Sequence, residues 1–542
     1  MLAVGAVIVF GALGLRAGYL GTVKAGELSG MAARQQQARF TVPAPRGAIV
    51  TRDGRELAVD RMSVSVSATP YLIKNPRWTA ERIAPAVGLS VDEAERRLRT
   101  RGGYVQLARN VDLQRARYLR KLDLPGIELT DSQQRVYPLR RVGAQLVGLT
   151  DDYGVGLSGL EAADNRVLTG RAGKRVEARD PFGRALRIIS DQPPTPGRTV
   201  ELTIDSAIQD QTERVLAATR TEFSAQAATA IVMRPQDGAI LAMATVPRYD
   251  PNNRRSLSPD LERNRPVTDT FEPGSTFKLV TVAGALQEGL VRPDTSLYLP
   301  AVLPLYDREL KDSHDRPDVT WTVSEILARS SNVGTVKIAM QLGARRLQSW
   351  IERFGFGKPT GIDYPGEVPG IVLPLDRWSG TSILNIPIGQ GVAVTLTQLV
   401  RAYAAVANGG YLITPHLVAR VGGHKVAHRR GQRILEPATA AALDQMLRGV
   451  VSPDGTGSEA QVAGYQVAGK TGTANKIDPA TGEYDERYVA SFVGYVPAER
   501  PQLLIAIMVD EPSSGSFFGG DVAAPAFERI AEFSLQHLGI AP

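Results

Sequence analysis

Glu272-Pro273-Gly274-Ser275-Thr276-Phe277-Lys278 is a chain breaker followed at once by a helix start. Pro273 and Gly274 end whatever precedes them. Thr276 opens an apolar run that continues through Leu279, Val280, Val282, Ala283, Ala285 and Leu286. The spacing predicts Ser275 at a helix N-terminus with Lys278 one turn on, on the same face. A serine hydroxyl beside an amine able to take its proton is an activated nucleophile. A serine at a helix start is also the ordinary N-cap, so a catalytic role needs support from elsewhere in the chain. The run is apolar on nearly all sides, which predicts a buried central helix and a rigidly held hydroxyl.

Outward from this stretch, two further segments carry polar groups at informative places. Val323 to Ala328 is helical in pattern and is followed by Arg329-Ser330-Ser331-Asn332-Val333-Gly334. This puts Ser330 and Asn332 at a helix-to-helix junction, a pattern that a capping turn alone also satisfies. Gly464-Tyr465-Gln466-Val467-Ala468-Gly469-Lys470-Thr471 fits the phosphate-binding P-loop pattern in full. A P-loop must open a helix, and Gly472, Pro479 and Gly482 stop one from forming. Tyr465 to Ala468 reads as strand. Lys470-Thr471-Gly472 is therefore expected on the first of three antiparallel strands, with 487–496 and 503–509 as the others. Gly472 on that strand would let a ligand approach the backbone. Ala228 to Val232 and Ala239 to Thr245 flank Pro235-Gln236-Asp237-Gly238, a hairpin signal. Asp205 caps a helix through about Phe223, and Pro525 to Leu538 closes the chain as another.

A chain of 542 residues holds two or more domains. Lys and Arg exceed Asp and Glu by seven, a mild excess that suits a membrane or an acidic polymer. No long basic run or stacking platform points to nucleic acid. There is no cysteine, which excludes thiol chemistry, and the five histidines lack metal-ligand spacing. No metal site and no cofactor are expected. Met1 to Leu15 carries no charged side chain but is short of the roughly 20 apolar residues of a span. Arg16 then interrupts. A cleaved signal peptide and a buried helix are the other readings, but no charged side chain precedes the run as in a signal peptide, so a membrane anchor over 1–23, truncated at its start, is expected here. Arg16, Lys24, Arg34 and Arg39 follow the apolar run, the side that a positive-inside count would keep in the cytoplasm. A lost basic tail would reconcile the two.

Between the anchor and the breaker cluster Gln192-Pro193-Pro194-Thr195-Pro196-Gly197, the pattern is mixed α/β. Arg46 to Ala58 reads as strand, Asp53-Gly54 turn, strand. Residues 78–87, 90–99 and 112–122 read as helices. No catalytic constellation is visible in this half.

Three signals thus stand in one order: Ser275-Thr276-Phe277-Lys278, Ser330-Ser331-Asn332 and Lys470-Thr471-Gly472. This triplet is known for penicillin-binding proteins and class A β-lactamases, with Asp in the middle motif where Ser331 stands here. The chain resembles the class B penicillin-binding proteins over most of its length. Arg46-Gly47 to Leu57-Ala58 resembles the start of their non-catalytic pedestal. Gly389-Gln390-Gly391 with Thr395, Asn408-Gly409-Gly410 and Phe518-Gly519-Gly520 look like family landmarks. Arg263-Asn264-Arg265 and Phe271 to Thr276 resemble the division-specific (FtsI) type, because elongation-type relatives tend to have a second proline where Glu272 stands.

The resemblance implies an α/β fold of three parts. These are the N-terminal anchor, an elongated pedestal (dimerisation-like) domain over 40–197, and a transpeptidase domain over 198–542. The last would be an antiparallel sheet flanked by helices around a central buried helix. It implies a D,D-transpeptidase that cross-links peptidoglycan stem peptides in septal wall synthesis and is acylated by β-lactams. Ser275 would be the nucleophile and Lys278 the base, its pKa lowered by burial and by Lys470. Ser330 would relay a proton, and Asn332 would hold Lys278 and the substrate amide. Lys470, Thr471, Gly472 and Thr473 would bind the substrate carboxylate end, with the Ser275 and Thr473 backbone N–H groups as oxyanion hole. Expected partners are peptidoglycan strands and divisome membrane proteins including a glycosyltransferase. The expected location is the extracytoplasmic side of a bacterial inner membrane, on a single-pass anchor. A β-lactamase shares the motifs, but is normally a smaller, secreted single domain.

Overall fold

The computed structural model describes residues 2–35, 37–179, 185–305, 308–428, 431–478 and 480–542. It opens with a helix, Leu2–Thr22, that runs straight through Arg16. Its stretch Ala3–Thr22 is long and apolar enough to cross a bilayer, and none of it is buried by protein. One arginine does not end a helix, because arginine is itself a good helix former.

The chain divides into two compact units that interleave in sequence. The first comprises Met1–Gly47, Asp60–Arg135 and Thr169–Arg198. In it, Val105–Val111 pairs antiparallel with the later part of Glu56–Ala68. Helices Pro76–Val87, Val91–Leu98 and Leu113–Leu122 bury Ile83, Leu98 and Leu119 in a core with Val64, Val66 and Leu107. Ser90 and Asp112 cap the last two helices by accepting from Glu93 N and from Gln114 N and Arg115 N. A second sheet joins Gln37–Val42, Gly173–Arg179 and Ala185–Gln192. Asp60 accepts from Arg46 N at 2.7 Å and from Arg135 Nη1 at 3.2 Å, with both Asp60 and Arg135 side chains under a tenth exposed.

The second unit comprises Ala48–Val59, Val136–Leu168 and Thr199–Pro542. Its centre is a five-stranded antiparallel sheet, in order Ile240–Val246, Ala227–Met233, Leu503–Asp510, Tyr484–Val496 and Ala468–Ile477. Strand periodicity sends alternate residues to opposite faces. Leu504, Ala506 and Met508 enter one core, and Ile505, Ile507 and Val509 the other. The second core is closed by helix Ser206–Glu222, capped by Asp205, and by helix Ala524–His537. The first core receives the central helix Lys278–Gln287, whose residues Lys278 through Ala285 are all buried. Fully burying Leu279, Val280 and Val282 contributes about 1.5–3 kcal/mol each. The Gly464 to Thr471 match does not form a P-loop: Ala468 to Thr471 lie on the edge strand, and no helix follows.

Candidate active site

The Ser275 turn is not a capped helix start. Gly274–Phe277 forms a 3-10 turn that runs into the central helix, and no side chain caps either end of that turn. Gly274 has φ +54°, and a Cβ there would sit 2.6 Å from Thr473 O. The turn therefore needs glycine both for its backbone angle and for its contact with the edge strand. Tyr403, fully buried on helix Leu396–Ala407, donates its hydroxyl to Thr276 O at 2.8 Å. Thr276 Oγ1 donates to Pro273 O at 2.7 Å. In front of the turn, Glu272 accepts from Gly391 N at 2.8 Å and from the Tyr484 hydroxyl at 3.0 Å. Burial pushes the Glu272 carboxyl pKa above its ordinary value. Arg265, from the other subtype segment, is buried and ion-paired with Asp269 at 2.9 Å and Asp260 at 3.1 Å.

Three residues after the half-buried Ser275, Lys278 is fully buried. Its ammonium group donates to Ser330 O, to Ser330 Oγ at 3.2 Å and to Asn332 Oδ1 at 2.7 Å. Burial lowers its pKa to about 7, against an opposing pull from the Asp312 charge. Lys470 is also fully buried, and burial together with the charge of Lys278 lowers its pKa well below the ordinary lysine value. The cation-on-cation effect thus falls on Lys470, and the low pKa of Lys278 comes from burial.

Ser330 lies between helices Val323–Ala328 and Asn332–Leu342 at φ +58°, a left-handed backbone that L-residues rarely adopt. This points its carbonyl and hydroxyl at one amine. Ser331, in the place of the motif aspartate, caps the second helix through Gly334 N at 2.9 Å. It also donates to Asp312, at 2.9 and 3.0 Å. Asp312 further accepts from Val333 N at 3.0 Å and Arg316 Nε at 2.6 Å. Asp312 is the cleft-lining residue most plainly missed by motif reading. Asn332 Nδ2 donates to Lys311 O at 3.1 Å, which leaves a second amide N–H for a ligand.

On the edge strand, Thr471 Oγ1 meets Thr456 Oγ1 at 2.8 Å, and Thr473 Oγ1 accepts from Gly519 N at 3.0 Å. A Cβ at Gly472 would lie 2.8 Å from Pro273 O and 2.4 Å from Ser491 Oγ. The close approach that Gly472 allows is made by the Ser275 turn itself. Ser275, Ser330, Asn332, Thr471 and Thr473 all line one cleft of about 760 Å³. Lys278 reaches the lining through its bonds to Ser330 and Asn332, and Lys470 through its bond to Thr471 Oγ1. Aromatic rings edge this cleft as well: Tyr488 stacks on Phe517 at 4.1 Å, and His314 meets Phe518 at 5.4 Å.

Residues 228–532 match the family described as penicillin binding protein transpeptidase domain. The chain belongs to this family. In the same transpeptidase chain, residues 41–202 match the penicillin-binding protein dimerisation domain. Peptidoglycan D,D-transpeptidase FtsI of Escherichia coli strain K12 is 32% identical to this transpeptidase over 529 residues, spanning 96% of this chain and 87% of the relative. Stage V sporulation protein D of Bacillus subtilis strain 168 is 32% identical over 558 residues, spanning 99% and 85%. The crystal structure of penicillin binding protein 3 from Mycobacterium tuberculosis complexed with aztreonam superposes with a TM-score of 0.73 at 29% identity, covering 93% of this chain and 98% of that one.

Proposed function

We propose that the chain is a peptidoglycan D,D-transpeptidase that works through a Ser275 acyl-enzyme in septal wall synthesis. Its architecture would be an anchor over 1–23, a pedestal over 40–197 and a catalytic domain over 198–542. The reading rests above all on Lys278, a fully buried amine with a pKa of about 7 that is held by Ser330 and Asn332, one turn on from Ser275 in the sequence. A base works best when its pKa lies near the working pH.

Neutral Lys278 takes the proton of Ser275 Oγ as that oxygen bonds to the carbonyl carbon of the penultimate D-Ala. The Ser275 and Thr473 N–H groups hold the oxyanion. When the peptide bond breaks, the proton passes through Ser330 to the leaving amine of the terminal D-Ala. Lys470, Thr471 and Thr473 receive that residue's carboxylate, and Asn332 binds the donor amide. An amine of a neighbouring stem peptide then attacks the ester and regenerates Ser275. A β-lactam presents the same acyl carbon and stops at the ester. The septal assignment rests on Glu272 and on the Arg263 to Arg265 segment. The long apolar helix Leu2–Thr22 favours a single-pass anchor, and the peptidoglycan substrate puts the catalytic unit outside the cytoplasm, with divisome membrane partners.

Fluorescent penicillin labels the protein covalently under this reading, and Ser275→Ala abolishes the label. Undiminished labelling of that variant contradicts the site. An acyl-enzyme that turns over within seconds moves the function to β-lactam hydrolysis.

A further inference from the structure

A ring contact that the reaction above leaves unused spans the cleft. His314 and Phe518 both line it, and their ring centroids lie 5.4 Å apart. They come from opposite walls. His314 lies in the irregular segment 312–318, which Asp312 ties to the Ser330 side by accepting from Ser331 Oγ and Val333 N. Phe518 directly precedes Gly519, whose N–H donates to Thr473 Oγ1 on the edge strand. His314 is exposed and Ser275 half-buried, which puts the contact at the mouth of the cleft rather than at its floor.

The segment that carries His314 is clamped at both ends and loose between them. At one end Asp312 is ion-paired with Arg316 at 2.6 Å, and Arg316 donates to Leu299 O and Pro317 O. At the other end Asp318 accepts from Ala301 N at 2.8 Å and from the Tyr298 hydroxyl. Among the described residues, Ser313, His314 and Asp315 make no hydrogen bond and no ion pair. What holds this tip to the opposite wall is the Phe518 ring. That ring is backed by Phe517 at 4.5 Å, which stacks on Tyr488 at 4.1 Å. Packed rings stiffen the Phe518 side, so it is the loose tip that yields. A single ring contact is weak enough to open and close in equilibrium, and a closed mouth scales the entry of any reactant by the open fraction.

We infer that segment 312–318 is a strap that closes the cleft through the His314–Phe518 contact and parts from that ring before an acyl donor reaches Ser275. This rests on the acyl-transfer reading above. It is tested by the second-order rate of acylation by fluorescent penicillin, measured on the full-length protein in detergent.

His314→Ala removes the ring and is expected to raise that rate about fivefold, the factor that one ring contact carries. His314→Phe restores a ring and brings the rate back towards that of the unmodified protein. The chain has no cysteine of its own, so His314→Cys combined with Phe518→Cys offers one thiol pair. Joined by a short bis-methanethiosulfonate, that pair is expected to be acylated at least about tenfold more slowly and to regain its rate when a reductant cleaves the bridge. A rate that stays level or falls in His314→Ala overturns the strap. So does a joined pair, confirmed by mass, that is acylated as fast as its reduced form. Should His314→Ala not fold, the joined pair decides. No penicillin labelling of the unmodified protein overturns the acyl-transfer reading and the strap with it, whereas labelling that ignores both changes overturns the strap alone.

Discussion

In the proposed reaction Lys278 has to give up a charge in order to act, and its surroundings set the pH at which it does so. Its pKa is lowered from the ordinary lysine value to about 7 by burial. The acylation rate therefore rises with pH, with an inflection near 7, and then levels as the amine becomes neutral. The Asp312 carboxylate favours the charged amine and works against that lowering. Removing its charge in Asp312→Asn moves the inflection to lower pH, as read from the second-order rate of penicillin acylation across pH 5 to 9. An inflection that stays put or rises contradicts the role given to Asp312.

Ser330 allows a second test at the same scale. Its left-handed backbone costs an L-residue roughly 1–2 kcal/mol, and glycine avoids that cost. Ser330→Gly and Ser330→Ala both lose the hydroxyl and slow acylation. The glycine variant is expected to be the more stable of the two by about 1 kcal/mol in denaturant melts.

At the scale of elements, the Ser275 turn is held by helix Leu396–Ala407 and lies against the edge strand Ala468–Ile477. Tyr403→Phe removes the donor to Thr276 O inside a sealed core, which costs about 1–2 kcal/mol. It also loosens the turn, so stability and acylation rate fall together. Tyr465 makes a comparable hydroxyl bond to Ile540 O far along the chain. Tyr465→Phe loses stability with acylation unchanged, and thermal melts paired with acylation rates separate the two effects. The helix starts at Asp205 and Ser90, the 227–246 hairpin and the edge strand are legible in the sequence, because caps, turns and periodicity are local. The triplet is legible because its spacing repeats a known motif order. The 3-10 form of the Ser275 turn is not, since it is imposed by contact with Thr473. Asp312 is not legible either. It lies in an irregular segment with no periodicity, and only the fold brings it under Ser331 and Val333. The same holds for His314 and Phe518, whose meeting depends on two irregular segments that are separate in pattern.

For the molecule as a whole, the breaker cluster at 192–197 marks a change along the chain, while residues 48–59 and 136–168 pack within the second compact unit. Ile49, Leu57, Tyr137, Leu146 and Leu160 share the large core with the central helix. Hydrophobic pattern shows that a segment is buried but not which core it joins, and that limits what a linear division into domains conveys. What the whole fold achieves is the convergence of three distant segments, around 275, 330 and 470, on one cleft, two of them carrying a fully buried lysine. Burial lowers the pKa of both amines, so the proposed chemistry depends on the core that encloses them. The central claim is that this cleft forms an ester at Ser275. Its most direct test is mass spectrometry of the penicillin-treated protein, intact and after proteolysis. The account predicts one adduct of the mass of the β-lactam, carried by the peptide that contains Ser275 and absent in Ser275→Ala. An adduct on any other residue, or an unchanged adduct in Ser275→Ala, would contradict it.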